Sequence, residues 1–274
     1  MLALTVDVEE GFHGLWPSSN KTMRRYRYES PRGTFIEPLR GILNLFEKEH
    51  VRSTFFVLGK IAEVFPEVVE EIYDLGHEVA SHGHFHIDFT KLSPSEFEET
   101  ESKNRRMLAG ITGEVPIGFR APFSKINPQI ISLLSKIGYV YDSSVVPSVV
   151  IPGWWSYYGA SLHPYAIDIG KSEFFEVPIS VFPYLRLPIS GWFLRNFGLT
   201  YVKTATKWFL HRDMSTIINI HPFDVDPNVK KLGGIRFHVT RRCGEYTLKA
   251  IRNLLETFDC PKMPIRDMLE KTVA

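Results

Sequence analysis

The run Ser81-His82-Gly83-His84-Phe85-His86 packs three imidazoles into six residues. His82 and His86 are four apart, so on one helical turn they share a face. Two neutral imidazoles on one face are the usual core of a transition-metal site. Such a site still needs a third ligand, and a carboxylate from elsewhere would supply it. Thr5-Val6-Asp7-Val8-Glu9-Glu10 offers one near the start of the chain. Asp7 and Glu9 are two apart and face the same side of a strand, whereas Glu10 faces away unless a bulge reverses the choice. Together the two segments make a metal-dependent hydrolase the leading reading. A purely structural zinc site would close with four protein ligands, often cysteines. Cys243 and Cys260 lie far from the histidines and lack CxxC spacing. They read as reduced, packed thiols.

The elements that must carry these groups alternate. Leu2–Val8 reads as a strand, Thr34–Lys48 as an amphipathic helix and Ser53–Gly59 as a buried strand. Ile61–Leu75 reads as a helix ended by Gly76, and His77–Ala80 as a strand leading into the histidine run. Ser93 is a candidate N-cap with Pro94 at the first helical position, opening a helix to about Gly110. Ile117–Phe119 and Tyr139–Tyr141 read as strands around a helix at Pro128–Lys136. Later come a helix at Tyr201–His211, a strand at Ser215–Ile220 ending in His221-Pro222, and a helix at Gly244–Phe258. This alternation argues for an α/β fold with a parallel sheet covered by helices. The histidines and carboxylates fall at the C-terminal ends of the strands, where α/β barrels gather their active sites. Residues 147–200 are rich in Pro, Trp, Tyr, Phe and Gly, as in Pro152-Gly153-Trp154-Trp155, and read as an insertion or loop set whose aromatic rings suit sugar faces.

Bulk properties narrow the classes. A chain of 274 residues is one large domain, or one domain with a modest appendage. The net charge of +1 gives no field to attract nucleic acid or an anionic membrane. No apolar run is long enough to span a bilayer, and no basic n-region precedes Leu2, so a cytoplasmic location is expected. Oligomeric state is not legible.

The order of the motifs is more specific than any one of them. It runs Asp7-x-Glu9, His82-x-x-x-His86, Phe119-Arg120-Ala121-Pro122-Phe123, Tyr141-Asp142-Ser143-Ser144 and Ile220-His221-Pro222. This series resembles the polysaccharide deacetylase (NodB-homology) superfamily of carbohydrate esterases, and the Thr-Val-Asp-Val-Glu variant looks most like exopolysaccharide-locus deacetylases. The resemblance implies a distorted (β/α) barrel with an incomplete strand set. It implies a deacetylase domain over 1–225, carrying the aromatic-rich insertion at 147–200, and a small helical C-terminal region over 226–274 packed on it. It implies one divalent metal held by Glu9, His82 and His86. Zinc suits two imidazoles and a carboxylate best, with iron, cobalt or nickel as alternatives. It further implies Asp7 as general base, Arg120 pairing with it, His221 as general acid, Asp142 orienting His221, and Pro122 and Phe123 walling the substrate groove. Asp224 and Asp226 lie close to His221 and could also tune it. Glu in place of Asp at position 9, and Val145-Val146 where an aromatic is usual, depart from the family pattern. The implied substrate is an N-acetylhexosamine glycan. Hydrolysis of another small amide, such as a formamide, imide or ring amide, is the alternative within the same superfamily.

Overall fold

The structure is a computed structural model that describes residues 1–11, 31–150, 155–170, 173–229 and 237–273. Strand alternation sets its two cores. On β1 (Leu2–Val8), Leu2, Leu4, Val6 and Val8 turn outward to the helices, and Ala3 turns into the barrel. The same phase holds on β2 (Thr54–Val57), with Phe55 and Val57 outward and Phe56 inward. The other strands are β3 (Glu78–Ser81), β4 (Gly118–Phe119), β5 (Tyr141–Asp142), β6 (Tyr165–Asp168), β7 (Glu173–Glu176), β8 (Val181–Phe182), β9 (Leu187–Pro188) and β10 (Thr216–Ile220).

Eight of them form one sheet in the order β10-β1-β2-β3-β4-β5-β7-β6, and β8 and β9 form a separate hairpin. Every neighbouring pair in the large sheet is parallel except β6 with β7. The sheet curls into a half-barrel. The chain beyond β7 spans the opening: Ile179 N–H donates to Val145 O and Ser180 N–H to Ile217 O, joining the β5 side to β10. This is a distorted (β/α) barrel with an incomplete strand set. At the N-terminal ends of the strands, Ile265, Met268 and Leu269 of the last helix pack against Ala3, Phe56 and Ala80. Leu2 exchanges backbone hydrogen bonds with Pro261 and Met263 beside them. The segment from Pro261 to the last helix therefore seals the bottom of the barrel, leaving the opposite end for the site.

Local chemistry explains the helix ends. Ser93 and Glu96 form a reciprocal capping box at Pro94–Thr112, and Gly113 ends that helix in the left-handed region. The helix expected over Ile61–Leu75 is instead two, Gly59–Val64 and Pro66–Asp74. Pro66 has no N–H to continue the ladder and forces Phe65 out of helical backbone (φ −131°, ψ 59°). The aromatic-rich stretch expected as loops contributes more than loops. Glu173–Glu176 joins the main sheet beside β5, and Gly191–Phe197 is a helix. Its Glu-Phe-Phe-Glu run is too short and too charged at its ends to read as a buried strand. Trp154 lies outside the described residues, and among the described residues no helix is long and apolar enough to cross a membrane.

Candidate active site

The inward phase of the strands delivers the functional side chains to one end of the barrel. Asp7 is the last inward-facing residue of β1, on the same face as Thr5, and Glu9 follows two residues on. His82 directly follows β3, Arg120 follows β4 and His221 follows β10. Glu9, His82 and His86 each offer a ligand atom, and these atoms lie within 4.8 Å of one another, all buried. His86 Nε2 is 2.7 Å and His82 Nε2 3.9 Å from Glu9 Oε2. His82 Nδ1 donates to Arg120 O at 2.8 Å, which fixes the tautomer and leaves Nε2 as the lone-pair face toward Glu9. Burial holds the His82 ring neutral, its pKa pushed down to about 4 despite the nearby Asp7 charge. Two imidazoles and one carboxylate with converging donor atoms fit a divalent cation. Three protein ligands leave room for further ones.

Glu10 does not join this group. Its carboxylate accepts from Arg32 N, Gly33 N and Thr34 Oγ1, which ties the chain entering the helix Ile36–Lys48. His84 also points away, with Nε2 3.9 Å from Glu63 on the neighbouring helix.

Asp7 sits at the centre of a second cluster. Its Oδ1 accepts from Arg120 Nη1 at 2.8 Å and its Oδ2 from Asn219 Nδ2 at 2.8 Å. Burial alone would raise its pKa, but the Arg120 charge, with His82 and His221, outweighs it and holds the carboxyl below its usual range. Arg120 is itself immobilised. Its Nε donates to Ser143 O, its Nη2 to Ser143 Oγ and its Nη1 also to Thr5 Oγ1, with the guanidinium 4.0 Å over the Phe56 ring. Asn219 escaped the sequence reading, yet it lies two residues before His221 on β10 and so shares its face.

His221 Nε2 lies 3.6 Å from Asp7 Oδ2 and 3.8 Å from Glu9 Oε1, and its ring is 31% exposed, so it borders both clusters and the open end. Its carboxylate partner is Asp224, one turn on in the short helix Pro222–Val225. Asp224 Oδ2 accepts from His221 N at 2.9 Å and lies 3.5 Å from His221 Nδ1. Burial lowers the imidazole's pKa, but Asp224, Glu9 and Asp7 overcome it and raise the value to about 9. Asp224 is pushed down to about 2, because Arg195 and His221 outweigh its burial. Arg195 Nε donates to Asp224 Oδ1 at 2.7 Å, and its Nη1 donates to Val239 O and Arg241 O. Gly191 permits this approach, since a Cβ there would fall 2.0 Å from Asp224 Oδ2.

Asp142 was expected to orient His221, and the structure corrects this. Asp142 lies on β5, far from β10 in the sheet order, and partners Ser144 and Glu176. Asp226 accepts from Asn228 N instead of meeting the imidazole. Pro122 is buried, and the Phe123 ring packs 4.4 Å from His86. Phe123 and Ser124 both adopt left-handed backbone (φ 60° and 57°), a strained turn that aims the Phe123 ring at the site. Beyond it, Lys125 Nζ lies 5.0 Å from the Trp155 ring and pairs with Asp88 Oδ2 at 2.7 Å. The wall from His86 to solvent is thus aromatic, cationic, then aromatic.

Comparison with known proteins places this geometry. The polysaccharide deacetylase family model matches residues 37–141, and a domain of unknown function (DUF3473) matches residues 143–263. A peptidoglycan deacetylase-like protein, FGM2, of Gibberella zeae is 30% identical over 196 residues, covering 68% of this chain and 52% of that protein. The peptidoglycan deacetylase of Helicobacter pylori is 32% identical over 111 residues, covering 40% of this chain and 38% of that protein. The chain thus spans about half or less of the length of these curated relatives. A Mycobacterium smegmatis crystal structure described as a polysaccharide deacetylase superposes with a TM-score of 0.68 at 21% identity, covering 98% of this chain and 88% of the other. That likeness carries the fold, and the matched sequence carries the family: the chain belongs to the NodB-homology polysaccharide deacetylase superfamily.

Proposed function

We propose that this protein is a metal-dependent hydrolase that removes N-acetyl groups from N-acetylhexosamine units of a bacterial polysaccharide or glycan precursor, releasing acetate. The observation that carries the reading is the juxtaposition of three kinds of group. A Glu9–His82–His86 donor set, a carboxylate held ionised by Arg120, and an imidazole held protonated by Asp224 border one opening. A structural cation site needs neither of the last two.

Glu9, His82 and His86 would hold the divalent cation, zinc for preference, which supplies Lewis acidity toward the acetyl carbonyl and toward water. Asp7 takes the proton of the attacking water, and Arg120 and Asn219 fix its orientation for that transfer. His221 delivers a proton to the departing nitrogen as the C–N bond breaks, giving a free amine and acetate. Ala121 N–H is already donated to Ser144 Oγ at 2.7 Å, and Pro122 has no N–H. Neither of these two therefore supplies a free oxyanion donor. Trp155 and Phe123 supply the apolar faces on which a pyranose stacks.

The test is elemental analysis of the purified protein together with acetate release from N-acetylglucosamine oligomers of several lengths. About one equivalent of metal and chelator-sensitive acetate release are expected. Asp7→Asn should abolish turnover with metal retained. Metal without acetate release from any oligomer would move the assignment to a small-amide substrate. No metal after supplementation would overturn the mechanism.

A further inference from the structure

Asp142 does not reach His221, yet it is fully buried with Glu176 beside it. The two are register partners on β5 and β7, so their side chains share the barrel interior. Asp142 Oδ1 accepts from Ser144 Oγ at 2.6 Å. Ser144 Oγ in turn accepts from Ala121 N–H at 2.7 Å. That N–H and the Arg120 carbonyl belong to the same peptide group, and the Arg120 carbonyl accepts from His82 Nδ1–H at 2.8 Å. A continuous hydrogen-bond chain therefore runs from His82 to the buried acids, and every donor in it points toward Asp142.

We infer that the Asp142–Glu176 pair is a positioning and tuning device for His82, acting through Ser144 and the Arg120–Ala121 peptide. An anionic Asp142 at the end of the chain polarises each link in the same sense, which strengthens the Arg120 carbonyl as acceptor. The imidazole then gains electron density at Nε2, the atom facing Glu9 and His86. Ligand histidines commonly donate their second N–H to a carboxylate or carbonyl. Here the carbonyl comes first and the carboxylate stands three links behind it.

Glu176 keeps the charge on Asp142 tolerable. Its Oε1 accepts from Val145 N at 3.0 Å, and its Oε2 has no donor among the described residues. A proton on Glu176, given to Asp142, satisfies that atom. Burial and the neighbouring Asp142 charge both push Glu176 well above the ordinary carboxyl range.

This inference rests on the metal reading of Glu9, His82 and His86. It is tested on the full chain by zinc affinity, measured by competition with a chromophoric chelator. Ser144→Ala breaks the chain and Asp142→Asn removes its charge; each is expected to weaken zinc binding about 10- to 100-fold. Ser144→Thr and Glu176→Gln keep a donor in place and are expected to stay within about threefold of the parent. In the metal-free protein, imidazole nitrogen NMR should show His82 held as the Nδ1–H tautomer, and a mixture of tautomers in Ser144→Ala. If Ser144→Ala melts like the parent and binds zinc as tightly, the relay is refuted, whether or not Asp142→Asn folds. A parent that binds no zinc refutes the metal reading instead.

Discussion

Asp224→Asn tests the role proposed for His221 as general acid. In the parent, burial lowers the His221 pKa, but the hydrogen bond to Asp224 and the charges of Glu9, Asp7 and Asp224 lift it to about 9. With that carboxylate neutralised, burial regains weight, and the imidazole falls toward its ordinary value of about 6.5 or below. At pH 7.5 the protonated fraction then drops from nearly all to about one-tenth. Since a general acid works only when protonated, kcat/KM on an N-acetylglucosamine oligomer should fall about tenfold at that pH. The alkaline limb of its pH profile should move to lower pH by about 2.5 units. A bound cation lowers the limb in both proteins, so the displacement between them is the quantity to read. An aryl acetate, whose leaving group needs no proton, should lose little. The substitution also strands Arg195, which is 2% exposed, and should cost about 3–5 kcal/mol in urea unfolding. Combining it with Arg195→Met should restore most of that stability and leave the limb displaced. An unmoved limb, or an equal loss on amide and aryl ester, would refute Asp224 as the support of His221.

Glu9→Gln should lose metal, whereas Glu10→Gln should keep it and lose about 1–3 kcal/mol of stability, because Glu10 accepts from Gly33 N and Thr34 Oγ1 at the entry to the first helix; metal content and urea midpoints distinguish the two. His77 is held neutral, its pKa pushed down to about 4 by burial and by Arg52, while its ring accepts from Ser53 N. The unfolded chain therefore binds a proton that the folded one lacks between about pH 6.5 and 4, so this stability is whole above 6.5 and declines with acidification by about 3 kcal/mol. Glu101, raised to about 7 by burial, acts in the opposite sense, so the quantity to read is the difference between the parent and His77→Gln, whose stability should lose less on acidification over that window; identical slopes would refute the assignment. Trp155→Ala should lower kcat/KM increasingly with oligomer length and leave metal content unchanged, since the ring stands beyond Phe123 and Lys125; a loss independent of length would remove Trp155 from the groove.

Local information in the sequence determined a great deal. Period-two alternation in Leu2–Val8 fixes which side Asp7 and Glu9 share, and the same rule sends Glu10 away. Ser93-Pro94 opens a helix by capping chemistry that needs no tertiary contact, although the helix runs past the expected Gly110 to a left-handed cap at Gly113. The His82-x-x-x-His86 spacing brings two imidazoles together within one loop. What the sequence left open depends on which strands become neighbours. Asn219 reaches Asp7 because β10 returns to pair with β1 across more than two hundred residues. Asp142 was assigned to His221 from the order of motifs, but order along the chain does not give distance across a curled sheet. Asp224 supports His221 only because Arg195, from a helix in the stretch read as loops, arrives to neutralise it where Gly191 leaves room. Buried charges are stable only with partners, and partners distant in sequence are chosen by the fold.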